Sequence, residues 1–106
     1  MLMSNRTAVF KQYTVTLIRQ DGVEVAYDGD LVAAVTSKEV SKLSAVAVTV
    51  PYSRRLPADT WLKHLLAYVD ARPQVSVEWK AVLHTQPDVH VDKHAKSVYI
   101  LWHIDN

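Results

Sequence analysis

Two prolines, Pro57 and Pro73, frame the segment that most constrains how this chain folds. Pro57 suits the first turn of a helix, where no backbone N–H is needed, and Pro73 stops one. Asp59 stands near the positive end of the helix dipole. Between the prolines, Trp61, Leu62, Leu65, Leu66 and Val69 recur at helical spacing, while Asp59, Thr60, Lys63, His64 and Asp70 fall largely opposite. The spacing predicts a main helix over 57–72 with one apolar stripe. Such a stripe has to cover something apolar, and the flanking segments supply a sheet.

The first of them is YTVTLIRQDGVEVAYDG, two alternating runs around Asp21-Gly22. Asp-Gly favours a two-residue hairpin turn, because both central residues then need positive φ. In that register Gln20 faces Val23, Arg19 faces Glu24 as a cross-strand ion pair, and Ile18 faces Val25. The segment LVAAVTSKEVSKL, 31–43, fits a short helix through Leu31, Val32 and Val35 followed by Val40 and Leu43, or a strand over 31–36 followed by a short helix, and the second is the preferred reading. SAVAVTVP is a β-branched run ended by Pro51, and reads as a buried strand. VSVEWKAVLH, 75–84, alternates Val75, Val77, Trp79, Ala81 and Leu83 with wetter residues, the pattern of another strand. The last run, SVYILWHI, is apolar on both sides, with Val98, Ile100, Trp102 and Ile104 on one and Tyr99 and Leu101 on the other. Together these give an α+β fold: a single-layer antiparallel sheet of about five strands, the helix 57–72 on one face, in the order β-β-(β)-α-β-α-β-β. The 106 residues suit one domain, 1–106, with 1–6 a flexible N-terminus.

Composition narrows the function by exclusion. There is no cysteine, so disulfides, thiol nucleophiles and thiolate metal sites are out, and a reducing, cytoplasmic setting is expected. MLMSNRTAVFKQYTV lacks the uninterrupted apolar core of a signal peptide, and no run approaches the ~20 apolar residues of a membrane helix. The net charge is +1, neither a nucleic-acid coat nor an acidic mimic. The two glycines, 22 and 29, form no phosphate-cradling loop. No serine lies in a nucleophile-elbow setting. An enzyme with a conventional active site and a cofactor is therefore not expected.

HTQPDVHVDKH, residues 84–94, is the most chemically suggestive stretch. His84, His90 and His94, with Asp88 and Asp92 between them, are the metal-ligand candidates, since zinc accepts histidine and carboxylate. Pro87 and the alternation Val89-His90-Val91-Asp92 argue for extended backbone, in which His90 and His94 do not share a helical face. The default reading is a solvated hairpin loop between strands 75–84 and 97–104, without metal. His103, on an otherwise apolar strand, reads as a residue near a sheet end bonded to a neighbour. In PYSRRLPADTW, Tyr52, Arg54, Arg55 and Trp61 combine aromatic and guanidinium groups, the chemistry of protein-interface anchors and of base stacking with phosphate contact.

These observations favour a small non-enzymatic protein-binding module, an assembly subunit or an inhibitor or effector of the size of viral and mobile-element accessory proteins. It would act through an exposed sheet face or edge, with Tyr52, Arg54, Arg55, Tyr99 and Leu101 as the partner-binding residues. A one-layer sheet must cover its second face or leave it wet, and self-association into an oligomer is the simplest cover. Nucleic acid bound by Arg54, Arg55 and nearby aromatics is the runner-up, and a metal-dependent role for the 84–94 stretch the third reading.

Overall fold

In the computed structural model, residues 13–52 and 57–105 are described. The expected flexible 1–6 and the Arg54-Arg55 pair lie outside them. Five strands form one open sheet in the order β2-β1-β3-β5-β4, every neighbouring pair antiparallel. They are β1 (Thr14–Arg19), β2 (Glu24–Tyr27), β3 (Leu43–Pro51), β4 (Asp88–Asp92) and β5 (Ser97–His103). Three helices join them: α1 (Leu31–Ser37), α2 (Ala58–Asp70) and α3 (Val77–Leu83), with a 3₁₀ turn at Val40–Lys42. The α+β class and five-stranded antiparallel sheet are those expected, with three helices where one was to dominate.

The β1–β2 hairpin closes one residue differently from its predicted register. Ile18 pairs with Glu24 and Leu17 with Val25, so the connection is the three residues Gln20, Asp21 and Gly22. Gly22 N donates to Arg19 O at 2.9 Å and Arg19 N to Val23 O at 2.9 Å. Gly22 alone takes the positive φ, +86°, which spares Asp21 the strained conformation that a two-residue turn demands of it. Asp21 instead pairs with Arg19 at 2.6 Å and accepts from Val23 N. The expected Arg19–Glu24 pair is therefore replaced by a local one.

Residues 31–37 are helix, not strand. Asp30 caps the segment through Ala33 N (2.8 Å), and the Tyr13 hydroxyl accepts from Leu31 N (2.8 Å). Leu31, Val32, Ala34 and Val35 are buried, the i, i+1, i+3, i+4 set of a helix face. Thr36 and Ser37 then donate their hydroxyls back to the carbonyls of Val32, Ala33 and Ala34, and Lys38 turns extended.

The larger correction is 75–84, expected as a strand. Ser76 accepts from Trp79 N at 3.1 Å as an N-cap, and α3 follows with Trp79 and Leu83 buried and Val77 84% exposed. Val75, Trp79 and Leu83 are four apart, a spacing that satisfies alternation and helical period alike. The cap decides between them. Helices of seven residues are marginal alone, and two tryptophans tie these to the rest. Trp79 Nε1 donates to Lys38 O (2.8 Å) at the end of α1, and Trp102 Nε1 to Leu83 O (3.0 Å) at the end of α3. Each satisfies a carbonyl near a helix end, where intrahelical partners run out.

One face of the sheet carries the core. Val15 and Leu17 of β1, Val46, Val48 and Val50 of β3, and Val98, Ile100 and Trp102 of β5 pack with Leu31, Val35, Trp61, Leu65, Val69, Trp79 and Leu83 from the three helices. Tyr13 meets Trp61 edge-to-face at 5.5 Å. Burial raises the Tyr13 hydroxyl from its ordinary 10.0 to about 12, although the bond from Leu31 N works the other way.

Candidate binding surface

Among the described residues, no helix lies over the second face of the sheet. Strand alternation fixes who stands there: Thr14, Thr16 and Ile18 from β1, Ala45, Ala47 and Thr49 from β3, and Ser97, Tyr99, Leu101 and His103 from β5. Registers line up Ile18–Ala45–His103, Thr16–Ala47–Leu101 and Thr14–Thr49–Tyr99 across the sheet. Ala45 and Ala47 are buried, stand in register between the taller side chains of β1 and β5, and have no helix of the described residues above them. The result is a shallow trough floored by alanine and walled by half-buried Ile18 and Thr16 on one side and Tyr99 and Leu101 on the other. Two strand spacings, roughly 10 Å, separate the walls. Burial raises the Tyr99 hydroxyl above its ordinary value, with a smaller push from the Glu24 carboxylate.

Tyr99 and Leu101, expected as partner-binding residues, stand together on this wall. Tyr52 does not join them. It is exposed just past the end of β3, where its N–H donates to Lys96 O (2.8 Å), and it continues the parity of Val50 rather than that of Thr49. The alanine floor, Ile18 and the threonines were not among the expected residues. The alternation in SAVAVTV gives one face of β3 only the small side chains Ala45, Ala47 and Thr49, but that Ile18, Thr16, Tyr99 and Leu101 flank them follows from the sheet register alone.

The histidine-rich stretch divides among several elements. His84 caps α3 and meets both carboxylate oxygens of Asp70 at 2.9 Å, tying the end of α3 to the end of α2. Pro87 is buried. Asp88 to Asp92 form edge strand β4, where a hairpin loop was expected; the loop is the shorter turn 93–96, in which Lys96 takes φ +53°. Asp92 Oδ1 holds that turn by accepting from His94 N and Ala95 N, both at 3.0 Å. His90 pairs in register with Tyr99, and His103 meets Asp88 at 2.8 Å. His84, His90 and His94 thus go to a helix end, an edge strand and a turn. Among the described residues, no three histidine or carboxylate side chains of one chain converge as a metal requires.

A cleft of about 570 Å³ lies between the end of α1 and the start of α3, lined by Thr36, Lys38, Glu39, Gln74, Glu78 and Trp79 among others. It is polar, and no histidine lines it. Among the described residues, no helix is long and apolar enough to cross a membrane. Compared with known proteins, the chain matches no family model, no curated protein and no solved structure.

Proposed function

We propose that this protein is a small non-enzymatic binding module, an assembly subunit or an inhibitor or effector of another protein, that acts through the helix-free face of its sheet. The observation that carries the reading is the trough itself. Tyr99, Leu101 and Ile18 stand beside buried Ala45 and Ala47, and among the described residues no helix lies over them. A flat floor of small side chains admits close approach by another element, and an aromatic and an aliphatic wall provide anchors that gain most from losing water. The absence of cysteine fits a reducing, cytoplasmic setting.

The test is a photo-crosslinking amino acid placed at Tyr99 in the cells that make the protein, with the same group at exposed Lys63 of α2 as control. A discrete protein adduct at position 99 alone, lost on Leu101→Glu, is the expected result. Equal labelling at both positions, or none, rejects the reading. An adduct with nucleic acid would transfer the function to the basic segment around Arg54 and Arg55.

A further inference from the structure

The second face of the sheet carries charge of one sign at its margins. Register places Glu24 and Ala26 of β2 on it, beside Ile18 and Thr16. On the other side it places Asp88, His90 and Asp92 of β4, beside Leu101, Tyr99 and Ser97. Carboxylates thus stand on both outer strands, with the trough between them. No lysine or arginine holds a strand position on this face. The described ones lie on helices, in turns and connections, or, as with Arg19, at the end of β1 in a pair with Asp21. With histidine neutral the whole chain carries +1, so this face is acidic against a basic remainder.

Glu24 pairs with no cation among the described residues. Its carboxylate acts across the trough instead: after burial, it is what raises the Tyr99 hydroxyl on the far wall. Asp88 is met by His103, and Asp92 accepts from two turn amides, contacts that position both carboxylates. Resting on the binding role given above, we propose the kind of partner: an amphipathic helix lying along the trough, its apolar side on Ala45 and Ala47, with lysine or arginine on both flanks.

The dimensions select a rod. Walls roughly 10 Å apart match a helix of ~10–12 Å diameter. The seven residues of β5 give a channel of ~23 Å, the length of about fifteen helical residues. A flat second sheet would rest on the walls and leave the alanine floor uncovered. Strands β2 and β4 are four strand spacings apart, ~19 Å, so only a few ångströms separate the helix body from either carboxylate row. Lysine and arginine cross such gaps, laying their stems on apolar surface while the charged head goes on to the rim. The same carboxylates disfavour the other occupants. They repel the phosphates of nucleic acid, and two copies of this face brought together would set carboxylate near carboxylate.

Two synthetic helices of about fifteen residues, stapled so that both are preformed, test this by fluorescence anisotropy. They share one leucine–alanine face and differ only in their flanks, lysine in the first and glutamate in the second. Expected is binding of the lysine helix roughly tenfold tighter than of the glutamate helix, since three exposed pairs each add a little. That preference fades as salt rises. It disappears in the variant Glu24→Gln, Asp88→Asn, Asp92→Asn, which loses the charges and keeps the hydrogen-bond acceptors. Leu101→Lys abolishes binding, and Lys63→Gln on α2 leaves it unchanged. Equal affinity for the two helices, binding of neither, or a preference that survives the neutral rim overturns the proposal. So does a protein dimer that Leu101→Lys dissolves, because a second copy then fills the trough. If one of these results accompanies a discrete protein adduct at position 99, the binding role stands and only this partner falls. If the adduct is missing as well, both fall.

Discussion

Ile100 and Leu101 are adjacent on β5 yet belong to opposite faces, and replacing each with alanine measures what covers those faces in solution. Ile100 is 1% exposed among the valines of β1 and β3 and the helices above them. Its truncation leaves a cavity that the sheet backbone cannot collapse, at a cost of about 2–5 kcal/mol. Leu101 stands opposite Ala47 and Asp88 on the other face, with no helix of the described residues over it, and is half-buried. Water refills the space it vacates, so no cavity forms. The loss is then a fraction of the ~1.5–3 kcal/mol for burying a leucine, about 1 kcal/mol.

The assay is urea unfolding followed by tryptophan fluorescence in chelator, at two protein concentrations well apart. With a slope of about 1–3 kcal/mol per molar urea for a chain of this size, Ile100→Ala moves the midpoint by at least ~0.7 M, and Leu101→Ala by clearly less. Two results refute the reasoning. Equal losses at the two sites mean that the second face is as covered as the first. A Leu101→Ala loss that grows with protein concentration means that another copy provides the cover, and the face is then an assembly surface.

Ser76→Ala removes the side chain that caps α3 and is expected to cost about 1 kcal/mol, read as a lower thermal midpoint with unchanged sheet signal. Trp102→Phe deletes the donor to Leu83 O and part of a fully buried ring. The orphaned carbonyl alone costs about 1–3 kcal/mol, so urea unfolding should show a loss of at least that size. Of the five tyrosines, Tyr13 is expected to lag in alkaline titration at 295 nm, losing its proton near pH 12. Its folded value lies above its unfolded one, so the folded chain keeps the proton longer. Its contribution to stability is complete below pH 10 and is lost as pH rises through 12.

How much of this fold was legible depended on whether one periodicity fitted a segment. The stripe Trp61, Leu62, Leu65, Leu66 and Val69 admits only a helix, because Leu62 and Leu66 break any alternation of two, and α2 is found at Ala58–Asp70 within the expected 57–72. SAVAVTVP and SVYILWHI admit only strands, and both are strands. Residues 75–84 admit both, because positions four apart repeat under a period of two and nearly so under 3.6. The deciding cue, Ser76 as a cap ahead of Glu78, is a single hydrogen bond and easy to outweigh by counting alternations. Residues 31–37 were open between helix and strand, because a short apolar run fits both, and Asp30 settles them as helix through one contact to Ala33 N. On the candidate surface, Tyr99 and Leu101 were legible from β5 alone. The alanine floor was not, since it needs the β1–β3–β5 register that no local pattern carries.

The histidine-rich stretch shows why proximity in sequence is a poor guide to converging ligands. In extended chain, residues two apart share a face but stand nearly 7 Å from each other, so His90 and Asp92 cannot close on one ion without help from a neighbouring strand. On its inner side β4 meets β5, which offers Tyr99 opposite His90 and Ser97 opposite Asp92, and neither brings an imidazole or a carboxylate. The one acidic group that does find a histidine across this pair is Asp88, already engaged by His103. Within one chain the ligands are thus limited to pairs.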